Sequence, residues 1–318
     1  MKCVFLDCDT LGQDTDLSVI TELMKTSCFN NTQKKNEIII ERLQNADAVI
    51  SNKVPIRQEV IEACPQLKVI FTAATGVDHI DTAFAAKRNI PVCNTRNYAG
   101  PSVVQHVMAS ILYFANKQHE YNASITDRTW SQQELFCLFT PAITELAGKT
   151  LGIIGYGNLG KQVASVAKAF GMQIKVAESF SNKQEDTDRF PLSEILLTSD
   201  FISLHCPLTE QTKYLFHKKT FEQMKSNAVL INTARGDIVD TNALLEALDS
   251  NLIAGASLDV FNQEPLPLDS PLIKKRQNLL LTPHIAWASY EARTRLIGEL
   301  VANIRAWLNN DIRNAVNI

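Results

Sequence analysis

Three polar residues stand just beyond apolar runs in the C-terminal half of the sequence. "INTARGD" puts Arg235 past one run, "SLDVFNQEP" puts Asp259 on the next with Glu264 beyond it, and "LLLTPHIAWAS" puts His284 directly after a third. In an open α/β sheet, ligands lie beyond the carboxyl ends of the strands, so these groups converge on one edge. Arginine offers a bidentate fork to a carboxylate and a positive field over a carbonyl oxygen. Histidine can give or take the proton that accompanies a hydride, and a nearby glutamate fixes the ring and favours its charged form. Each residue also has a bland reading. A strand-end arginine is often a surface ion pair, and an acid before Pro265 is unremarkable in a turn. Spacing does not choose the histidine either. His205 ends a strand too, in "LHCPLT", and on spacing alone it stands level with His284. His106 falls within a long helical pattern and His79 follows a glycine turn, while His119 and His217 sit in exposed-looking segments.

A second cluster has the chemistry of phosphate binding. "GIIGYGNLGKQVASVAKAFGMQIKVAES" contains Gly155, Tyr156, Gly157, Asn158, Leu159 and Gly160, between a strand and a helix with apolar Val163, Val166, Ala167 and Phe170. The first glycine permits the tight turn, the second lets the backbone approach a pyrophosphate, and the third lets the helix pack on its strand. The helix N-terminus then faces the anion. Glu178 ends the next strand, where an acid accepts hydrogen bonds from ribose hydroxyls and repels a 2′-phosphate. That favours NAD over NADP, although Ser179, Ser181 and Lys183 could help hold a phosphate.

The elements that must position these groups alternate along the chain. Strand patterns in the first hundred residues are "CVFL" (3–6), "DAVIS" (47–51), "KVIFTAA" (68–74) and "IPVC" (90–93), separated by amphipathic stretches. "PSVVQHVMASILYFANKQHE" (101–120) reads as a long helix crossing into a second domain. An irregular arm follows (125–146), with exposed-looking Trp130, Phe136 and Phe139 suited to packing on a neighbouring subunit or to folding back on their own domain. Then come six apolar strands, at 150–155, 174–178, 201–206, 228–234, 254–260 and 279–282, and a last amphipathic helix at 290–310 returning to the first domain. The fold class is α/β, with two doubly wound parallel sheets.

Bulk properties narrow the function. A length of 318 residues suits about two domains. Net charge is −3 without a basic block, which removes electrostatic support for nucleic-acid binding. Seven scattered cysteines form no C-x-x-C pair, so neither a disulfide framework nor a zinc site is expected, and Cys206 reads as structural. Asp7 and Asp9 interrupt any signal-peptide core, and no apolar run is long enough to span a membrane, so a cytoplasmic protein is expected.

Together, "GYGNLG", "HCPLTEQTKYLF", "MKSNAVLINTARGDIVD", "ASLDVFNQEP" and "LTPHIAWAS" resemble the D-isomer-specific 2-hydroxyacid dehydrogenases. "SNKVPI", "AATGVDHID" and "LAGKTLGIIGYG" extend the resemblance over nearly the whole chain, and "WS…FCLF" with "PHIAWAS" brings it nearest the glycerate dehydrogenase (hydroxypyruvate reductase) branch. The resemblance implies a flavodoxin-like substrate domain from residues 1–98 and 288–318 and a Rossmann NAD-binding domain from 99–287, with the site in the cleft between them. It implies that Arg235 binds the substrate carboxylate and carbonyl, that His284 is the acid/base, and that Glu264 is its partner. Substrate contacts fall on Asn52, Gly76, Val77 and Trp287. Cofactor contacts beyond the glycine turn and Glu178 fall on His205, Cys206, Pro207, Thr212, Thr233, Ala234, Asp259 and His284. No metal is implied. The expected partners are a small 2-keto or 2-hydroxy acid and a second copy of the chain, joined through the NAD-binding domain. Hydroxypyruvate or glyoxylate is the first choice of substrate, with D-lactate- and phosphoglycerate-type activities as alternatives. Formate enzymes carry a Gln-His arrangement where this chain has Glu264 and His284. An NAD-sensing corepressor shares the scaffold but usually has long tails, whereas Met1 here begins almost at the first strand and the chain ends soon after its last helix.

Overall fold

Short runs rich in Val and Ile build two separate parallel sheets in the computed structural model, which describes residues 1–180 and 188–318. The chain divides into one unit of Met1–Ala99 with Ala288–Ile318 and another of Gly100–Trp287.

The first unit contains β1 (Lys2–Phe5), α1 (Ser18–Thr21), β2 (Lys25–Cys28), α2 (Asn36–Leu43), β3 (Ala48–Ser51), α3 (Gln58–Ala63), β4 (Val69–Thr72), α4 (Thr82–Lys87) and β5 (Val92–Cys93). All its strands pair in parallel, in the order β2-β1-β3-β4-β5. This flavodoxin-like order reverses between β1 and β3, where a doubly wound sheet opens a crevice. Every residue of β3 and β4 is buried, as helices on both faces require. β2 has no counterpart among the sequence-predicted strands. "KTSC" is an edge strand paired only to β1 and largely exposed, so it carries no apolar run to betray it.

The second unit contains α5 (Gly100–Asn116), α6 (Gln118–Thr126), β6 (Thr150–Ile154), α7 (Asn158–Ala169), β7 (Gln173–Val176), α8 (Leu192–Thr198), β8 (Phe201–Leu204), α9 (Lys218–Phe221), β9 (Val229–Asn232), α10 (Thr241–Asp249), β10 (Gly255–Leu258) and β11 (Leu279–Leu281). Pro101 occupies the first turn of α5, where its missing N–H costs nothing, and Val103, Val104, Val107, Ile111 and Ala115 bury one face. Asp240 caps α10 by accepting from the Asn242 and Ala243 amides. The sheet order is β11-β10-β9-β8-β6-β7, and a parallel bridge from Ala177 to Phe190 continues it past β7. Counted as a rudimentary third strand, that bridge gives the dinucleotide-binding order 3-2-1-4-5-6-7 within this unit. The order reverses between β6 and β8, so Gly155 and His205 both emerge at the switch point.

The final helix, α11 (Tyr290–Leu308), belongs to the first unit. Ser289 caps it, and Trp307 meets Phe71 of β4 edge-on at 6.1 Å.

Candidate active site

β10 and β11 end side by side and deliver an acid/base pair. His284 Nδ1 donates to Glu264 Oε2 at 2.6 Å, and Glu264 Oε1 accepts the Phe261 amide at 2.9 Å. The carboxylate therefore fixes the ring and leaves Nε2 as the nitrogen available to a reacting group. His284 has φ of +56°, a left-handed conformation that costs an L residue on the order of 1 kcal/mol unless its surroundings enforce it. The enforcing group is Asp259, only 1% exposed. Its Oδ1 accepts the Ile285 amide at 2.8 Å and the Thr282 hydroxyl at 2.6 Å, while Oδ2 accepts the Ala286 amide at 2.8 Å. Because the Thr282 hydrogen points to Asp259, His106 Nε2, 3.3 Å from Thr282 Oγ1, must act as the donor in that contact. Asp259 thus stands behind the histidine loop, bound to its backbone. The sequence suggested a cofactor contact there and did not foresee this duty.

Arg235 is held beside the same loop. Asn232, buried at the end of β9, accepts the Ala234 amide at 3.0 Å and donates to the Arg235 carbonyl at 2.8 Å. Gly236 allows contact with the Phe261–Asn262 backbone, since a Cβ there would lie 2.0 Å from the Phe261 carbonyl carbon. Asn262 then bonds Asp237 at 2.6 Å and also Thr241, riveting the arginine loop to the glutamate loop. Arg235 Nη1 donates to the Ala234 carbonyl at 2.7 Å. Thr233 Oγ1 is buried and has no hydrogen-bond partner among the described residues, a polar atom left for a ligand to engage.

The glycine turn fits a dinucleotide. Gly155 has φ of +93°, and a Cβ on it would lie 2.4 Å from the Cys206 amide nitrogen. A Cβ on Gly160 would lie 2.2 Å from the Gly155 carbonyl oxygen, whereas one on Gly157 meets nothing within 4 Å. Two glycines are thus required by packing, and the third leaves the approach to the turn open. Gly157, which caps α7, carries no side chain to satisfy the first-turn amides, so they face an incoming anion. Beside the turn lies a solvent-open cavity of about 260 Å³, walled by Tyr156, Glu178, Ser179, Arg189 and the 206–212 loop. Pro207 and Thr212 line it, but the Thr212 hydroxyl is turned into its own loop, donating to the Pro207 carbonyl at 2.7 Å and accepting the Thr209 amide at 2.8 Å. Burial pushes the Cys206 thiol up to about 11, which makes it an inert wall. Leu159 and Asn158 lie in the first turn of α7, and the Asn158 side-chain Oδ1 accepts from Gln162 Nε2 at 3.0 Å. Ser181 and Lys183 lie outside the described residues.

His205 and His284, level on spacing, differ in structure. Burial holds His205 down at about 4, and its Nε2 bonds the Ser203 hydroxyl at 2.9 Å. It is neutral at working pH and paired with an alcohol, while His284 is paired with a carboxylate.

The remaining sequence-predicted substrate residues occupy different settings. Asn52, 2% exposed, donates through its side chain to Thr10 at 3.0 Å. Asp7, a residue with no site role in the sequence reading, accepts the backbone amides of Asn52 at 2.9 Å, Lys53 at 2.6 Å and Val54 at 3.2 Å. Burial raises the Asp7 pKa despite those donors. Gly76 and Val77 are half-buried in a loop braced by Thr75 on the Thr95 carbonyl at 2.9 Å. Trp287 is half-buried, three residues past His284.

The profile for the NAD binding domain of D-isomer specific 2-hydroxyacid dehydrogenases matches residues 108–286. The chain belongs to that family, and with it to the nicotinamide-dependent oxidoreductases that act on 2-hydroxy acids. A glycerate dehydrogenase of Methylorubrum extorquens is 40% identical over 99% of this chain and 98% of its own length. A hydroxypyruvate reductase of Blautia hydrogenotrophica is 34% identical over the full length of both. Among solved structures, D-lactate dehydrogenase from Aquifex aeolicus, complexed with NAD and lactic acid, superposes with a TM-score of 0.86 at 28% identity, covering 100% of this chain and 99% of that one. An acyclic imino acid reductase in complex with NADPH and D-Arg gives 0.88 at 31% identity, covering 99% of this chain and all of its own.

Proposed function

We propose that the chain reduces hydroxypyruvate or glyoxylate to the D-2-hydroxy acid with NADH, and catalyses the reverse reaction. The Glu264–His284 pair at 2.6 Å, beside the braced Arg235 loop, carries this reading. Arg235 binds the substrate carboxylate and polarises the carbonyl, with the Gly76 and Val77 amides as further carboxylate donors and Asn52 and Trp287 as substrate contacts. His284 Nε2 delivers the proton to the carbonyl oxygen, and Glu264 stabilises the imidazolium before transfer. A bound nicotinamide supplies the hydride. Tyr156, the turn amides, Glu178, Pro207, Thr233 and Ala234 hold the dinucleotide, and Glu178 accepts from the ribose hydroxyls. The glycerate, hydroxypyruvate and glyoxylate enzymes among the relatives support this substrate class over pyruvate.

His284→Gln is expected to lower kcat by about a thousandfold, the range of a lost general acid, while nucleotide binding is kept. Steady-state assays with NADH and a panel of 2-keto acids measure this and identify the substrate. Unchanged turnover sinks the assignment.

We also infer that two copies associate through the Gly100–Trp287 unit. Pro101, Val104, Met108 and Leu112 of α5, with Val166 of α7, line an apolar groove on its surface. The arm beyond α6 exposes Phe136 (89%) and Phe139 (77%), more apolar area than a solitary surface usually shows. Light scattering should report a dimer, and Val166→Glu, at the exposed edge of that groove, should give monomers. A monomeric unsubstituted chain refutes the association.

A further inference from the structure

Among the described residues, the wall of the nucleotide cavity carries one cation, Arg189, to which the proposed NADH chemistry gives no role. Arg189 lies on the segment that bridges to β7: the Phe190 amide donates to the Val176 carbonyl at 2.9 Å, and the Glu178 amide donates to the Phe190 carbonyl at 2.9 Å. Those two bonds pair Phe190 with Ala177 and so hold the adjacent Arg189 at the end of β7, where the Ala177 carbonyl accepts Arg189 Nη1 at 2.9 Å. From there the guanidinium reaches the wall of the cavity that Glu178 and Ser179 also line. Its carbon stands 5.6 Å from the Tyr156 ring centroid, and Lys161 Nζ stands 5.8 Å from the same centroid. Two cations therefore flank one aromatic ring of the glycine turn, at the end of the cavity where the ribose acceptor Glu178 stands.

A carboxylate alone at this place would bind ribose hydroxyls and expel a 2′-phosphate. A guanidinium beside it changes the balance, because its planar fork matches a phosphate dianion with two parallel N–H donors. We propose that Arg189 sets the NAD/NADP discrimination of this chain by offering a 2′-phosphate a partner against Glu178, so that NADPH is accepted as well as NADH. The proposal rests on the reading of the cavity as the adenosine site. The Ala177 tether and the half-buried setting add a physical reason. A pre-positioned guanidinium loses little conformational freedom when it binds, and burial strengthens its pull on an anion. The competing geometry is an arginine laid flat on the adenine, which would aid both cofactors equally.

The test uses 2′,5′-ADP and 5′-AMP, which differ only in the 2′-phosphate and involve no turnover. Calorimetry on the intact chain should show both binding. Arg189→Gln should weaken 2′,5′-ADP by about tenfold or more, the size of a charge-assisted bidentate contact, and 5′-AMP by less than about threefold. Arg189→Lys should fall between, because it keeps the charge and loses the fork. Glu178→Gln should act in the opposite sense and tighten 2′,5′-ADP. Equal weakening of both ligands in Arg189→Gln, or no binding of 2′,5′-ADP to the unsubstituted chain, overturns the proposal. Retained 5′-AMP binding in each variant verifies the fold. Failure of the reductase reading would appear elsewhere, as absence of turnover with every keto acid while both nucleotides still bind.

Discussion

Each half of the molecule uses a buried aspartate to shape the loop where ligands are expected, yet only one of the two loops carries an acid/base pair. In the first unit Asp7, 2% exposed, follows β1 and gathers the amides of residues 52–54 beyond β3, at that sheet's switch point. In the second Asp259, 1% exposed, follows β10 and gathers the amides of Ile285 and Ala286 with the Thr282 hydroxyl, beyond β11. Both carboxylates are satisfied mainly by backbone donors, as buried polar groups require. The carboxylate proposed to assist proton transfer is a third kind: Glu264 is 34% exposed and shared between one amide and His284. Deep acids set backbone shape here, and the shallower one meets the histidine proposed as the proton donor.

Asp259→Asn tests this division most severely. The substitution keeps size but replaces one acceptor with an NH₂ that faces a donor, so part of the clamp on residues 282–286 is lost. His284 would relax from its left-handed backbone and carry its ring off Glu264, and a misplacement near 1 Å can cost about a hundredfold in rate. We expect kcat to fall by about that factor with 5′-AMP affinity retained. If activity survives and only the melting temperature drops, the two aspartates are equivalent and the comparison collapses.

Asp7→Asn should then behave differently. Three amides lose a full acceptor set inside the first unit, and a buried group left unsatisfied costs about 1–3 kcal/mol. Urea denaturation should register a loss of about 2 kcal/mol. The kcat of the surviving folded enzyme should stay within about threefold of the original, with any larger change in KM, because the 52–54 loop would bind substrate without moving a proton. A kcat loss as large as that of Asp259→Asn would erase the distinction between the loops.

These assignments mark where the sequence was and was not legible. The six strands of the second sheet announce themselves as apolar runs because that sheet is covered on both faces. β2 does not, since an exposed edge strand needs no apolar residues, and the bridge at Phe190 is too short to leave a pattern. The glycine turn is legible because sterics at Gly155 and Gly160 leave no room for a Cβ. The choice between His205 and His284 is legible only through the family resemblance and not in spacing, because it depends on a carboxylate twenty residues away and on burial that spacing does not encode. Asp7 and Asp259 look like ordinary strand-end acids for the same reason: their partners are backbone amides of distant loops.

The smallest effect concerns a second feature that the halves share, a histidine held neutral by burial. His205 at the second switch point and His79 in the first unit are each pressed down to about 4 from an ordinary value of 6.5. For such a group the unfolded chain binds more protons than the folded one between those values, so stability rises with pH across the window and is lost as pH falls from about 6.5 toward 4. His205→Gln keeps a polar partner for Ser203 and removes one titrating site, so the slope of unfolding free energy between pH 6.5 and 4.5 should shrink by up to about one proton's worth, near 1.4 kcal/mol per pH unit at most. Denaturation series at pH 7, 6 and 5 measure it. His79→Gln should give a change of the same sign, although Lys53 and Arg57 also depress that ring and Asp78 opposes them. An unchanged slope in His205→Gln would mean that His205 titrates alike in folded and unfolded chains, and the argument that its neutrality leaves His284 as the proton carrier would lose its physical basis.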